Sequence, residues 1–296
     1  MVHDVINTLV MSYGSSGNGK TVDMGYSYPN ALFIATRGSL LSIKNTCGYM
    51  PATLDLPNIQ EATKLVMELK DNTEFDAVVV DDFSHLADKT MVDIEKRYKG
   101  WDVYSQMNQI VLDFRNAARY AGVHIAINCW EAHPKTNRNT GAFTRGGALL
   151  SGKLPESLPA LCDLVLRCGK DPMKPTQWKG IYKCQLDTQY TMKDRFGVCY
   201  NLDPVPQNIA EILRSANIPL SRLKGLEWQE EIVEQSSTAF LEIKNSKERN
   251  LEIEKLFSGL ISQGVEPKFA RWTIRDVIDR IAIKRSINQQ SVKFFA

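Results

Sequence analysis

The chain alternates short, almost continuously apolar segments with longer segments whose apolar residues recur every three or four positions. The short segments predict buried β-strands, at residues 5–11, 31–35, 75–80 and 123–128. The helical spacing predicts α-helices over residues 59–70 and 102–121. Apolar strands that alternate with helices indicate an α/β fold, in which helices cover both faces of a mostly parallel sheet.

Two later apolar runs predict strands that extend this sheet in antiparallel fashion, at residues 164–167 and 182–186. The character of the chain changes after Pro206, where two long helical patterns follow, at residues 226–263 and 269–285. Gly264 and Pro267 separate these two patterns. We therefore predict an α/β core over residues 1–204 and a C-terminal helical appendage over residues 205–296.

Composition restricts the function classes that need to be considered. Hydrophobic residues make up 43% and charged residues 24% of the chain, as in ordinary soluble proteins. The net charge is only +2, so nucleic-acid binding would have to come from local basic patches. The six cysteines form no C-x-x-C pair, which favours buried thiols in a reducing compartment over a zinc site. With no signal pattern and no apolar run near ~18 residues, we expect a soluble, cytoplasmic protein that does not enter a membrane.

A complete G-x-x-x-x-G-K-T motif lies between the first strand and a helical pattern, which is the context of a P-loop. Its glycines let the backbone approach a phosphate chain closely, and successive N–H groups then form an anion site at a helix N-terminus. Lys20 would contact the β- and γ-phosphates, and Thr21 would bind Mg²⁺. The sequence therefore predicts an ATP and Mg²⁺ site formed by Gly14, Ser15, Ser16, Gly17, Asn18, Gly19, Lys20 and Thr21.

Two carboxylates follow the strand at residues 75–80. A carboxylate at the tip of a buried strand beside a P-loop holds Mg²⁺, and we assign this role to Asp81. Asp82 is a candidate for orienting or deprotonating the attacking water, with a helix N-cap as the alternative role. A dinucleotide site is excluded, because the second strand ends in Ala35-Thr36-Arg37-Gly38 and offers no acid for a ribose.

The order of these motifs resembles the RecA-like ATPases, and most of all a phage-borne group described as nucleotide-binding or single-strand-annealing ATPases. The matching segments span roughly residues 5–202 and read GSSGNGKT, FDAVVVDDFSHL, GVHIAINCWEAHPK, SGKLPESLPALCDLVLR and YTMKDRFGV. The resemblance implies a RecA-like core, assembly into a homo-oligomer (a ring or a filament), and a role in phage-type recombination, repair or replication. It also implies partner proteins from those pathways and, for a phage protein, the host cytoplasm.

The segment from Lys193 to Gly197 is similar to a Lys-x-Arg turn that reaches the neighbouring subunit's nucleotide in these families. Lys193 and Arg195 are therefore candidate catalytic cations that act in trans on the transferring phosphoryl group. A solvated β-turn is the alternative.

The chain departs from the resemblance at one catalytic position. These enzymes carry a glutamate after the second strand, and residues 35–39 contain no acid. Either Asp82 or Glu131 takes that role, or hydrolysis is slow. The candidates for a polar sensor at the end of the fourth strand are Asn128, Trp130 and Glu131. Asn128 could sense the γ-phosphate through a hydrogen bond; a buried asparagine bonded to backbone is the alternative.

The polar, glycine-rich and basic segment at residues 131–153 predicts a long loop. RecA-like enzymes bind single-stranded DNA with such loops, and four of its residues are candidate nucleic-acid contacts: Lys135, Arg138, Phe143 and Arg145. A solvated loop is the alternative. A second basic segment, ending in Lys99 and followed by Trp101, lies after the third strand.

The leading hypothesis is an ATPase that acts on single-stranded DNA. The first alternative is a nucleotide-switched assembly protein that hydrolyses ATP weakly or not at all, which the missing glutamate favours. A helicase loader, a packaging-type motor and a small-molecule kinase share the P-loop, although the long basic loop resembles neither a kinase lid nor an acceptor pocket.

Overall fold

The structure, a computed structural model, describes residues 7–70, 74–170, 180–184, 187–199 and 204–294. Val5 and Ile6 of the first predicted strand, and Gln185 and Leu186 of a later one, lie outside these residues. No helix in the described part of the chain is both long and apolar enough to cross a membrane.

The strands are β1 (Leu9–Tyr13), β2 (Ala31–Ala35), β3 (Thr53–Leu54), β4 (Ala77–Asp81), β5 (His124–Cys129), β6 (Glu131–Ala132), β7 (Lys135–Thr136), β8 (Phe143–Thr144), β9 (Gly147–Ala148), β10 (Leu164–Lys170), β11 (Gly180–Lys183), β12 (Lys193–Asp194) and β13 (Val205–Pro206). The helices are α1 (Lys20–Ser27), α2 (Leu41–Cys47), α3 (Ile59–Glu68), α4 (Phe83–Glu95), α5 (Trp101–Ala121), α6 (Leu154–Leu161), α7 (Ile209–Ser215), α8 (Trp228–Leu241), α9 (Ser246–Ser262) and α10 (Pro267–Phe294).

The main sheet has the strand order β13-β11-β10-β1-β5-β4-β2-β3, and β12 pairs with β10. Within this order, the six strands β10, β1, β5, β4, β2 and β3 run parallel to one another. β11, β12 and β13 add antiparallel pairings at the β10 end. The predicted mostly parallel sheet with an antiparallel extension is confirmed. β1 lies between β5 and β10, and this arrangement brings the ends of β1, β4 and β5 to one edge.

Helices cover both faces of the sheet, as predicted for strands that are apolar on both sides. On one face, Ile59 of α3, Phe83 of α4 and Phe114 of α5 pack against alternate residues of the central strands. On the other face, Met24 of α1 and Ile43 of α2 share a core with several residues of the C-terminal helices, among them Ile209, Trp272 and Ile283. The fold is therefore the predicted α/β P-loop core with C-terminal helices, and some of those helices belong to its second hydrophobic core.

In the C-terminal region, the helical pattern at residues 226–263 corresponds to more than one helix. The structure has α8 and α9 in this range, separated at residues 242–245. The Asn245 side chain accepts a hydrogen bond from the Lys247 N–H, and this cap begins a new helix. Trp272 of α10 packs edge-on against Tyr26 of α1, with ring centroids 4.9 Å apart. The boundary between residues 204 and 205 stays a prediction.

The segment at residues 131–153 also differs from the prediction of a long loop. β6 pairs with β9, and β7 pairs with β8, so the segment forms a hairpin. At the tip, the Asn137 carboxamide accepts hydrogen bonds from the N–H groups of Asn139 and Thr140, and Gly141 has a φ of 68°. Such an asparagine-led turn needs a residue that tolerates positive φ, which Gly141 supplies. We call residues 135–144 with their flanking Arg145 the basic hairpin.

Candidate nucleotide-binding site

The predicted P-loop joins β1 to α1 and has the backbone geometry that its glycines allow. Gly17 and Gly19 have φ angles of 80° and 81°, in the left-handed region that disfavours other residues. A Cβ on Gly14 would lie 2.5 Å from the Cys168 carbonyl oxygen of β10, so this position has no room for a side chain. The loop is therefore held close to the sheet, and α1 begins directly behind it.

Lys20 is 8% exposed, and its ammonium lies against the loop. Its Nζ donates to the carbonyl oxygens of Gly14, at 2.7 Å, and of Ser15, at 3.0 Å. These two contacts hold the charge at the inner side of the loop. A phosphate chain in the loop would meet this charge together with the N–H groups at the start of α1.

Asp81 and Asn128 lie at the ends of neighbouring strands beside the P-loop. Among the described residues, no hydrogen-bond partner is present for the buried Asp81 Oδ2 and Asn128 Nδ2. Asn128 Oδ1 accepts a hydrogen bond from the Ser12 hydroxyl at 2.5 Å. Burial raises the pKa of Asp81, whereas the nearby Thr21 and Asn128 side chains lower it. A buried carboxylate oxygen without a partner, close to a hydroxyl, suits Mg²⁺, which prefers oxygen ligands.

A cavity of about 420 Å³ contains most of these groups. It is lined by the P-loop from Ser16 to Thr21 together with Thr36, Ser39, Ser42, Asp81, Asp82 and Trp130. Hydroxyl side chains thus stand where the resemblance led us to expect a glutamate. A larger cavity of about 790 Å³ lies near Asp76, His124 and Arg222, at the other edge of the sheet, and none of the motif residues lines it.

Asp82 lines the cavity and also begins α4. Its Oδ1 accepts a hydrogen bond from the His85 N–H at 2.5 Å, so the capping role considered for it is present. Burial raises the pKa of Asp82, while the His85 N–H lowers it. Its role toward a water molecule stays a prediction.

Glu131 lies outside the residues that line this cavity, but it contacts the P-loop. Its Oε2 accepts from the Ser15 hydroxyl at 2.9 Å, and its Oε1 accepts from Arg167 Nε at 2.7 Å. The Arg167 guanidinium lies over the Tyr190 ring, 3.5 Å from its centroid. Sequence reasoning missed Arg167, although a charged residue in an otherwise apolar strand was a usable signal.

Lys193 and Arg195 lie far from the P-loop of their own chain. β12 pairs with the beginning of β10, at Leu164 and Val165, whereas the P-loop follows the other end of the neighbouring β1. Lys193 Nζ donates to the Ala160 carbonyl at 2.7 Å. Arg195 Nη1 donates to Asp163 Oδ1 at 2.6 Å, and both side chains remain partly exposed.

The four candidate nucleic-acid contacts lie together on the basic hairpin. Lys135, Arg138 and Arg145 are exposed, and no described residue forms an ion pair with them. The Phe143 ring is 52% exposed and stands on β8, opposite Thr136 of β7. The hairpin therefore presents three cations and one aromatic ring to solvent.

Comparison with known proteins places the site in a family. A family model described as an AAA domain matches residues 6–196. No curated protein matches the chain. Among solved structures, the crystal structure of the RadB recombinase is 16% identical with a TM-score of 0.36, and the alignment covers 59% of this chain and 79% of that chain. The KaiC-like protein PH0186 from Pyrococcus horikoshii OT3 is 14% identical with a TM-score of 0.34, and the alignment covers 63% of this chain and 82% of that chain.

Proposed function

Since this chain belongs to the AAA domain family, we propose that it is a P-loop ATPase that binds ATP with Mg²⁺ and acts on single-stranded DNA. The proposal that the chain binds ATP with Mg²⁺ rests on Asp81 Oδ2, which has no hydrogen-bond partner among the described residues and lies beside Thr21 and Lys20. A buried carboxylate oxygen without a partner costs stability, and a bound cation offsets that cost. We therefore infer that Asp81 and Thr21 hold Mg²⁺ here.

The groups that line the cavity, and Asn128 beside Asp81, would take different parts in hydrolysis. The P-loop N–H groups and Lys20 bind the phosphates, and Asn128 Nδ2 donates to the γ-phosphate. Mg²⁺, held by Thr21 and Asp81, would neutralise negative charge on the phosphates. The water oxygen bonds to the γ-phosphorus while the bond to the bridging oxygen breaks, which yields ADP and phosphate. Asp82 receives the water proton in our preferred assignment, because it lines the cavity and Glu131 does not.

The basic hairpin supports single-stranded DNA as the partner. Three cations with no ion-pair partner in the described part of the chain suit a phosphate backbone, and the exposed Phe143 suits base stacking, which is sequence-tolerant. The hairpin extends from β6, whose Glu131 contacts Ser15 of the P-loop. DNA contacts and the nucleotide are thus connected through a few residues. A role in phage-type recombination, repair or replication is the pathway we propose for this activity.

Assembly completes the proposed site. Lys193 and Arg195 lie at the edge of the sheet away from their own P-loop, so they would act on the nucleotide of an adjacent subunit in a ring or filament. In this arrangement, residues 1–204 would bind and hydrolyse the nucleotide, and the helices of residues 205–296 would pack against this core. Hydrolysis per subunit would depend on protein concentration.

The hydroxyl side chains of Thr36, Ser39 and Ser42 favour one alternative, a nucleotide-switched assembly protein with little hydrolysis. One set of measurements on the wild type and Lys20→Ala separates the two functions. ATP binding, assembly and ATP hydrolysis are measured across protein concentrations, with and without single-stranded DNA. An ATPase stimulated by DNA and lost in Lys20→Ala supports our proposal. ATP binding with assembly but without hydrolysis supports the alternative, and no ATP binding refutes both.

A further inference from the structure

Gln207 touches the P-loop from outside the family match, which ends at residue 196. It follows β13 and is 3% exposed. Its Nε2 donates to the Asn18 carbonyl of the P-loop at 3.0 Å and lies 2.8 Å from Cys168 Sγ. Its Oε1 accepts from the Gly180 N–H at 3.0 Å. Each polar atom of the carboxamide therefore has a partner in the wall behind the loop.

Gly19 of the P-loop and Gly180 of β11 leave space for this side chain. A Cβ on Gly19 would lie 2.9 Å from Gln207 Oε1, and one on Gly180 would lie 2.4 Å from it. The carboxamide thus fills the volume that two glycines leave open. Cys168 Sγ also lies 2.9 Å from the Asn18 carbonyl oxygen, so that oxygen is held by two side chains.

The backbone of Gln207 is fixed by the C-terminal helix α10. Arg275 Nη2 donates to the Gln207 carbonyl and, at 2.9 Å, to Asp23 Oδ1 of α1. Asp23 Oδ2 accepts from the Tyr182 hydroxyl at 2.7 Å and from the Ile209 N–H at 3.3 Å. Burial lowers the pKa of Arg275, but the carboxylates of Asp23, Asp279 and Asp276 outweigh this and raise it. The guanidinium therefore stays charged and connects α10 to the P-loop helix.

We propose that Gln207 is a positioning residue of the nucleotide site, and that Arg275 and Asp23 hold it in place from α10 and α1. A P-loop binds phosphate only while its N–H groups converge, and this needs the carbonyl groups of the same peptides to be held facing away. Gln207 holds the Asn18 carbonyl in that orientation. The C-terminal region then contributes directly to ATP affinity. The inference rests on the proposed nucleotide site.

The test uses the full chain and a fluorescent ATP analogue with Mg²⁺. Gln207→Glu has nearly the same size and keeps the acceptor for the Gly180 N–H, but a carboxylate oxygen then faces the Asn18 carbonyl. We expect about 10-fold weaker binding than the wild type near pH 8, because a hydrogen bond is replaced by repulsion. Toward about pH 5.5 the affinity of the variant should approach that of the wild type, because a buried carboxyl protonates readily and its O–H can donate to the Asn18 carbonyl.

Gln207→Met removes the hydrogen bonds of the carboxamide at similar volume and should weaken binding about 5-fold, with no recovery at low pH. The matched control is Gln229→Met. Gln229 is equally buried and donates to Thr273 Oγ1 at 3.0 Å, between α8 and α10, without touching the P-loop. It should lower the unfolding temperature and leave the affinity of the folded protein unchanged.

The outcomes separate this inference from the proposed function. If the wild type itself does not bind the analogue, the proposed function fails. If the wild type binds and the folded Gln207 variants bind equally well, Gln207 does not position the loop. If Gln229→Met weakens binding of the analogue as much as Gln207→Met does, the loss follows from looser packing of α8 and α10, and the inference is overturned as well. Should Gln207→Glu fail to fold near pH 8, the comparison of the two Met variants decides.

Discussion

The Ser15 hydroxyl donates to Glu131 at an Oγ–Oε2 distance of 2.9 Å, and this bond joins the P-loop to the first residue of β6. The other carboxylate oxygen of Glu131 is bonded to Arg167 of β10. Glu131 therefore stands between the loop that binds phosphate and the basic hairpin. Both of its oxygens are engaged, and this arrangement suits a structural link better than a group that activates water.

Glu131→Gln should separate these two roles. The Gln side chain keeps an acceptor for Ser15 but loses the ion pair with Arg167. We expect hydrolysis without DNA to stay within about 3-fold of the wild type, and stimulation by single-stranded DNA to fall by about 10-fold. Steady-state ATPase assays with and without a DNA oligonucleotide measure this. Glu266→Gln, at an exposed glutamate paired with Lys268, is the control. A loss of DNA-independent hydrolysis would instead make Glu131 the group that activates water.

Asp81→Asn should lower hydrolysis and raise the stability of the nucleotide-free protein. The substitution removes a ligand for Mg²⁺, so we expect hydrolysis to fall about 100-fold while nucleotide binding changes far less. It also removes a buried charge. This should raise the free energy of unfolding by about 1 kcal/mol or more, and the unfolding temperature by a few degrees. If Asp82→Asn is inactive and Asp81→Asn is normal, the roles of the two residues are reversed.

The pH dependence of stability checks the same assignment. Burial raises the pKa of Asp81 above its ordinary value of 3.8. The folded state then binds more protons than the unfolded state between these two pKa values, so the contribution of Asp81 to stability decreases as pH rises through that interval. The gain in unfolding temperature from Asp81→Asn, measured without nucleotide, should therefore be largest at neutral pH and shrink on acidification. A gain that does not depend on pH would show that Asp81 is not destabilised by burial.

Local patterns were sufficient to predict the elements that surround the P-loop. The P-loop is a continuous strand, loop and helix, and Asp81 ends a strand whose apolar run is visible in the sequence. The partners of these groups could not be predicted in this way. Gln207 and Asn18 are 189 residues apart, and Arg275 and Asp23 are 252 apart, so tertiary packing and not local sequence brings each pair together. The two-residue strands of the basic hairpin were also missed, because they are too short to show an alternation of apolar and polar residues.

The basic hairpin gives a prediction about salt. Replacing both Arg138 and Arg145 with Ala should weaken binding to a single-stranded oligonucleotide. The slope of log affinity against log salt concentration should also become less steep by about 1.4, because about 0.7 counterion is released per phosphate contact on a single strand and two contacts are lost. Fluorescence anisotropy at several salt concentrations measures this. The control replaces two exposed lysines elsewhere, Lys64 and Lys255, and should leave the slope unchanged. An unaltered slope in the arginine variant would show that the basic hairpin is a solvated element without contacts to the DNA backbone.

Arg195→Ala tests whether catalysis needs a neighbouring subunit. Because Arg195 lies at the sheet edge away from its own Lys20, a catalytic contact requires another copy of the chain. The variant should bind ATP nearly normally and hydrolyse it on the order of 100-fold more slowly, since the lost contact acts mainly in the transition state. Arg119→Ala is the matched control: Arg119 also pairs with Asp163, at 3.6 Å, but lies outside the turn. It should keep its activity.

Mixing variants then shows on which subunit the cation acts. Arg195→Ala and Lys20→Ala are each expected to be nearly inactive. In a mixed oligomer, some interfaces combine an intact P-loop from the first variant with an intact Arg195 from the second, so activity should partly recover. Recovery should rise with total protein concentration, as should the activity per subunit of the wild type. Light scattering or cross-linking confirms that the two variants assemble together. If they do and the mixture stays inactive, the Lys193 to Gly197 segment is a surface turn held by Asp163, and the cation that stabilises the transferring phosphoryl group must come from another part of the chain.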